Sequence, residues 1–170
     1  MKRTLATVLT VAFLLALIPG ITGCKIIPKK WYEETLNYYS DGIKNGFKQE
    51  YNNLSVPEDL KDSTKKKGYL LIDLDKDGAN ELLIGIIDDA PETKFTNVIV
   101  CHTDLGPYCL ITGGSTNYIH LCYDNVIEMD NGIEYNKPTF MRWNQKSNSF
   151  TVIDGEGKFL PAKWELTPFE

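Results

Sequence analysis

The residues with the clearest chemistry are alternate carboxylates in one short segment between two apolar stretches. Asp73, Asp75 and Asp77 are followed by Gly78, which permits a sharp turn, and then by Glu81. Such carboxylates converge when the chain curls, and they suit a hard cation that prefers oxygen ligands. Without a cation they would repel one another. The sequence therefore predicts a structural Ca²⁺ site with five ligand residues: Asp73, Asp75, Asp77 and Glu81 through their carboxylates, and Ala79 through its backbone carbonyl.

A second interpretation of this loop needs no metal, because aspartate side chains also cap tight hairpins through Asx turns. The loop departs from the EF-hand, since the twelfth position counted from Asp73 is Ile84 rather than glutamate and the flanking segments are strand-like. It resembles instead the strand–loop–strand calcium loop of integrin-type FG-GAP repeats. In those repeats the closing acid stands at the ninth position, where Glu81 stands here.

The first 24 residues have the pattern of an export signal. Lys2 and Arg3 precede an apolar run over residues 5–18, which has the length of a signal-peptide core and is short for a bilayer span. The segment Ile21-Thr22-Gly23-Cys24 follows and resembles the bacterial lipobox. This resemblance implies cleavage before Cys24 and thioether lipidation of its side chain. The alternatives are an ordinary cleaved signal with a chance cysteine and an uncleaved anchor helix.

The chain then divides into a signal peptide (1–23), a lipidated tether (24–30) and one domain (31–170). A diacylglyceryl group on Cys24 carries two chains, which suffice for stable anchoring where one would be marginal. The sequence therefore predicts an extracytoplasmic protein that is held on the cell membrane by its N-terminus.

Composition narrows the class of protein further. Hydrophobic residues make up 42% of the chain and charged residues 24%, as in ordinary globular domains, which excludes a disordered, fibrous or polytopic membrane protein. The formal net charge of −5 argues against a nucleic-acid partner, which favours a basic surface. Removal of the signal peptide takes away two basic and no acidic residues, so the mature chain is more acidic still.

Hydrophobic periodicity predicts an N-terminal helix followed by strands. Within residues 29–54 one apolar stripe recurs every three or four positions, although Gly42 and Gly46 weaken its middle and favour a break near residues 40–42. A short second helix is predicted over residues 57–67. The stripe consists of Tyr32, Leu36, Tyr39, Ile43, Phe47, Tyr51 and Leu54.

Eight strands separated by turn signals follow, which is typical of an antiparallel meander. We therefore expect an α+β fold in which an N-terminal helix, with a possible second one, packs on a mainly antiparallel β-meander sheet. The predicted strands cover residues 69–74, 81–87, 97–102, 108–112, 118–123, 126–129, 139–144 and 150–153.

The stretch 68–85 also resembles a group of uncharacterised surface lipoproteins of low-GC Gram-positive bacteria. In that group an acidic "Asp-x-Asp-Gly-x-x-Glu" hairpin follows an N-terminal helix and precedes a β-meander. The resemblance implies residence at the cell surface and brings no enzymatic activity with it. The segments 112–115 and 124–127 fit the same layout.

Three cysteines remain beyond Cys24. If one hairpin turns about Leu105 and the next about residues 115–116, Cys101 faces Cys109 and Cys109 faces Cys122 on one rung. The exported location permits a disulfide between two of them, and buried free thiols are the main alternative. A Cys₃His metal site would need a tetrahedral convergence that a flat rung rarely gives.

The function expected from these features is that of a non-enzymatic, surface-anchored binding module whose ligand is an unknown protein or glycan. One alternative is an inhibitor-type lipoprotein, because an acidic body attracts a basic secreted enzyme. Another is a small hydrolase or redox protein that uses Cys109 with His120, although no established catalytic spacing accompanies that pair. Several late aromatic residues are candidates for a ligand groove: Tyr118, Tyr123, Tyr135, Phe140, Trp143 and Trp164.

Overall fold

The computed structural model describes residues 29–48, 51, 53–87, 96–103, 105–113, 118–130, 137–144, 146–154 and 164–170. Helix α1 covers Lys29–Asn45, α2 is a single turn at Glu58–Lys61, and a 3-10 turn covers Tyr123–Asn125. The strands are β1 (Lys66–Ile72), β2 (Glu81–Ile87), β3 (Thr96–Thr103), β4 (Gly106–Thr112), β5 (Tyr118–Leu121), β6 (Ile127–Asp130), β7 (Thr139–Asn144), β8 (Ser149–Ile153) and β9 (Thr167–Pro168). The predicted α+β class is confirmed, and each of the eight predicted strands overlaps an observed one.

The strands form two antiparallel sheets. The first has the order β4-β3-β2-β1-β9, and the second has the order β5-β6-β7-β8. Facing side chains of the two sheets form an inter-sheet core, so the meander is folded over on itself. This core contains Leu74, Leu83, Ile99, Cys101, Ile119, Leu121, Ile127, Met141 and Trp143.

Helix α1 covers the other face of the first sheet. This helix-side core contains Tyr39, Leu60, Leu82, Ile84, Ile86, Val98 and Val100. Strand β2 is therefore covered on both faces, and residues 81–86 are all buried. Coverage on both faces explains why the sequence of β2 is a continuous apolar run rather than an alternating one.

Helix α1 ends before the predicted apolar stripe does. Helix α1 stops at Asn45, and Gly46 follows with φ +81°, the left-handed conformation that commonly terminates a helix. The chain turns back so that Phe47 lies over Gly42, where a Cβ atom would come within 2.2 Å of the ring. Gly42 is thus a packing position for Phe47 rather than a break in the helix.

The second predicted helix is wrong in length. Residues 58–61 form one helical turn, and strand β1 already begins at Lys66. Pairing of β1 with β2 begins at the Lys66–Ile87 rung, so the end of the predicted helix belongs to the sheet. Lys67 is buried there, and its Nζ donates to the carbonyl of Asp62.

Candidate metal centre in the β1–β2 loop

The acidic segment forms the loop that joins β1 to β2. The strands close on the pair Ile72 and Glu81, and the eight intervening residues form the turn. Lys76 and Gly78 have φ of +62° and +91°, so the backbone curls through the left-handed region twice. This curl directs alternate side chains toward a common point.

Three of the predicted ligand residues come together in this loop. One carboxylate oxygen each from Asp73, Asp75 and Glu81 lies within 4.8 Å of the others. Asp77 does not belong to this group, and ligation by Asp77 and by the Ala79 carbonyl stays a prediction. Among the residues that the structure describes, this acidic cluster is the group that could hold a metal ion.

The turn-capping bonds of the metal-free interpretation are also present. The backbone N–H groups of Asp77 and Gly78 donate to the two oxygens of the Asp73 carboxylate, at 3.1 and 2.9 Å. The N–H of Ala79 donates to Asp77 Oδ1 at 2.8 Å. These bonds hold the turn without a metal ion, and the convergence of the carboxylates leaves room for the other interpretation. The two interpretations are therefore compatible.

Glu81 differs from the other acids because it is buried. Its side chain is 1% exposed, and its Oε2 accepts a hydrogen bond from the Leu74 N–H at 2.8 Å. The pKa of Glu81 is raised to about 8, chiefly by burial. The hydrogen bond from the Leu74 N–H opposes this shift, and the charges of the three loop aspartates add to it. A cation beside the carboxylate would favour the ionised form. The cluster is electrostatically suited to a positive ion.

Asn125 holds the loop from the second sheet, and sequence reasoning gave it no role at the site. Its Nδ2 donates to the carbonyl of Asp73 at 2.8 Å and to that of Leu74 at 3.2 Å. Asn125 lies in the 3-10 turn with φ +57°, a conformation that asparagine tolerates better than most residues. The two partners lie about fifty positions earlier in the chain, so only the tertiary structure brings this amide to the loop.

Substitution of Asn125 by glycine should weaken metal binding about tenfold and lower stability by about 1–2 kcal/mol, because two loop carbonyls lose their donor. Glycine tolerates the positive φ, so the backbone conformation is preserved. Calorimetric titration with Ca²⁺ and urea unfolding measure the two effects. Replacement of the neighbouring Asp124, which has φ +60° and is exposed, by glycine is the control. Equal effects of the two substitutions would contradict the assigned role of Asn125.

Two aromatic side chains connect the start of α1 to the end of β3. The ring of Tyr32 in α1 meets His102 edge-on at a centroid distance of 4.2 Å. Within the described residues the Tyr32 hydroxyl is buried without a hydrogen-bond partner, and burial followed by the charge of Glu81 raises its pKa. Burial lowers the pKa of His102 to about 4, so this imidazole is neutral at physiological pH. Helix α1 is thereby brought close to Glu81.

The strand register that predicts Cys101 opposite Cys109 is correct at Ile99 but wrong from Val100 onward. Ile99 pairs with Ile111, as a turn about residue 105 requires. A bulge then shifts the register by one position, so Cys101 faces Tyr108 instead of Cys109. Because a bulge places an extra residue on one strand, it changes which side chains oppose each other. The Cys101–Cys109 rung does not form.

The predicted pairing of Cys109 with Cys122 is also wrong, because β4 and β5 belong to different sheets. Cys101 lies in the inter-sheet core and Cys109 packs against the helix-side core. Cys122 lies in a third small cluster with Val126 and Phe140. All three are free thiols.

The structure does not bring Cys109 and His120 together. Cys109 packs on the helix side of the first sheet, whereas Ile119 and Leu121 direct their side chains into the inter-sheet core. Side chains alternate along a strand, so His120 points out of the far face of the second sheet. The two residues therefore lie on opposite sides of the double sheet, whose layers are about 10 Å apart.

The aromatic residues that were candidates for a ligand groove do not lie together. Trp143 lies in the inter-sheet core, and Phe140 is buried on the other face of the same strand. Trp164 donates its Nε1 hydrogen to the Leu121 carbonyl at 3.1 Å. Tyr118 and Tyr123 are exposed, and Tyr135 lies outside the described residues.

Comparison with known proteins gave no family model, no curated protein and no solved structure that matches the chain. Among the helices of the described segments, none is both long and apolar enough to cross a membrane. The predicted signal peptide, the predicted lipobox and Cys24 all lie before the first described residue, Lys29.

Proposed function

We propose that this protein is a lipoprotein anchored outside the cytoplasm through Cys24, and that its body is a non-enzymatic binding module with a structural Ca²⁺ site in the β1–β2 loop. The ligand belongs to the protein or glycan classes. The metal site rests on one observation: carboxylate oxygens of Asp73, Asp75 and Glu81 lie within 4.8 Å of one another, and Glu81 is buried.

The chemistry of the cluster favours Ca²⁺ over other cations. Its donors are carboxylate oxygens, which suit hard ions, and it contains neither imidazole nor thiolate. Ca²⁺ accepts about six to eight oxygens in an irregular arrangement, whereas Mg²⁺ demands a near-octahedral one. The curled backbone can supply further oxygens from carbonyls such as that of Ala79, and water can complete the shell.

A structural role for the ion follows from its position. The loop joins two central strands of the first sheet, and Asn125 ties its backbone to the second sheet. An ion that neutralises the cluster would stabilise a junction between the two sheets. The residues around the cluster support binding rather than catalysis, because burial raises the pKa of Cys101 to about 12 and leaves that thiol a poor nucleophile.

The calcium site is tested by titration of the processed protein with Ca²⁺ in a calorimeter and by its melting temperature in Ca²⁺ and in EGTA. We expect one binding event and a higher melting temperature in Ca²⁺, because a ligand that binds only the folded state stabilises it. Asp75→Asn should lose both effects. Asp124→Asn, which removes the same charge from an exposed position outside the cluster, should keep them. Identical melting in both buffers without binding heat would refute the site.

The anchor is tested separately by the Cys24→Ser variant in cells of a lipoprotein-processing bacterium. We expect an unprocessed precursor or a released protein, because the thiol that receives the diacylglyceryl group is missing. Membrane fractionation and the mass of the N-terminal peptide measure this result. Normal membrane retention of the variant would show that the anchor assignment is wrong.

A further inference from the structure

The acidic loop and two other turns lie at the same end of the fold. Strand β2 begins at Glu81, and its next residue, Leu82, pairs with Val100 of β3. Strand β3 runs on past this rung to the hairpin at Leu105, so that hairpin projects from the same end of the sheet as the acidic loop. The 3-10 turn joins them, because Asn125 bonds to the loop backbone. We call this surface the loop end.

The N-terminus of helix α1 lies at the loop end as well. Tyr32, in the first turns of α1, contacts His102, which is near the end of β3. Cys24 precedes Lys29 by five positions, and five residues span at most about 18 Å even when fully extended. A lipid on Cys24 therefore keeps the start of α1, and with it the loop end, close to the bilayer surface.

Two exposed apolar side chains project from the loop end. Leu105 is 98% exposed at the β3–β4 turn, and Tyr123 is 57% exposed in the 3-10 turn. The Thr103 hydroxyl donates to the Gly106 carbonyl and accepts from the Leu105 N–H, which fixes the turn. A single exposed leucine is ordinary on a protein surface, so Leu105 is of interest because it lies at the end of the fold that is nearest to the proposed lipid anchor. Leucine and tyrosine are side chains that partition into the headgroup region of a bilayer.

The charge at the loop end opposes contact with an anionic membrane unless a cation is bound. The acidic loop carries four carboxylates and one lysine, Lys76, within nine residues. An anionic leaflet repels such a loop. A divalent ion would lower the formal charge of these nine residues from −3 to −1 and could share its open coordination positions with lipid phosphates. Ca²⁺ would thus weaken the repulsion and bridge the loop to the lipid.

We propose that the loop end docks on the anionic phospholipid surface of the membrane that anchors the protein, and that it does so only with the cation bound. Leu105 and Tyr123 enter the headgroup layer beside the ion. This inference rests on the proposed lipid anchor and calcium site. The anchor supplies a high local concentration of lipid, so a weak contact suffices to orient the domain.

The test places an environment-sensitive fluorophore at position 105 through Leu105→Cys in the lipidated protein. The protein is reconstituted in vesicles of phosphatidylcholine alone or mixed with phosphatidylglycerol. We expect a blue shift of the emission and quenching by brominated lipid with Ca²⁺ in the anionic vesicles, reversal by EGTA, and no change in phosphatidylcholine. A label at Tyr123→Cys should respond in the same way. The wild-type protein taken through the labelling is the blank for its own thiols.

The matched control is Ser63→Cys, since Ser63 is exposed in the turn before β1, at the opposite end of that strand. Its label should not respond to Ca²⁺ in either vesicle. If calorimetry shows calcium binding but the labels at 105 and 123 stay unchanged, or if all three labels respond equally, docking is refuted and the calcium site stands. If calcium does not bind or Cys24 carries no lipid, the proposed function fails and the docking proposal fails with it.

Discussion

Replacement of Glu81 by glutamine should strongly weaken calcium binding and make the metal-free protein much less sensitive to a pH change that destabilises the wild type. The substitution keeps the shape of the side chain and an oxygen that can accept from the Leu74 N–H. It removes the charged ligand that closes the cluster with Asp73 and Asp75. We expect affinity for Ca²⁺ to fall by more than about 100-fold, a larger loss than substitutions outside the ligand set produce.

The direction of the pH effect follows from the pKa of Glu81, which burial raises from 4.5 to about 8. A group whose pKa is raised by folding contributes stability below its unfolded value, and that stability is lost as pH rises through the folded value. The stability that this group gives to the metal-free wild type should therefore be complete at and below about pH 4.5 and be lost progressively between pH 4.5 and about pH 8. The full loss is on the order of 5 kcal/mol.

Urea unfolding in EGTA at pH 5, 7 and 9 measures this dependence. The wild type should weaken across the series, Glu81→Gln should weaken much less, and saturating Ca²⁺ should flatten the wild-type curve because the ion favours the charged carboxylate. Glu165→Gln, at an exposed position, is the control and should follow the wild type. A wild-type curve in EGTA that rises from pH 5 to pH 9 would contradict the prediction.

Truncation of Leu74 to alanine should cost about 3 kcal/mol and also weaken calcium binding. Leu74 lies inside the acidic loop, is 4% exposed, and belongs to the inter-sheet core. Loss of a buried leucine side chain removes its transfer free energy and leaves a cavity. Its N–H donates to Glu81 and its carbonyl accepts from Asn125, so a loosened residue 74 also disturbs the ligand geometry.

Leu71→Ala is the matched control for this substitution, because Leu71 precedes the loop in β1 and is 37% exposed. We expect it to cost less than about 1 kcal/mol and to leave calcium affinity unchanged. Denaturant midpoints and calorimetric titrations of the two variants measure both quantities. Equal destabilisation by the two substitutions would show that Leu74 does not anchor the loop.

The sequence by itself determined the local elements and the position of the candidate site. Periodicity predicted helix α1 and placed all of the first eight strands, because side-chain patterns with periods of 3.6 and 2 report directly which faces are buried. The alternate aspartates, with Gly78 and Glu81, identified the loop, because both the turn and the carboxylates are encoded within nine residues. The two-residue strand β9 has no such pattern and was not predicted.

The tertiary structure decided what depends on residues far apart in the chain. Only the folded chain divides the strands into two sheets, since the pattern of each strand shows an apolar face without showing what covers it. The bulge that moves Cys101 opposite Tyr108 leaves no local signal, and one shifted residue changes every later pairing. Asn125 reaches the loop across about fifty residues, and Glu81 becomes a buried acid only in the folded chain. Burial and long-range hydrogen bonds are properties of the assembled layers, so no local spacing encodes them.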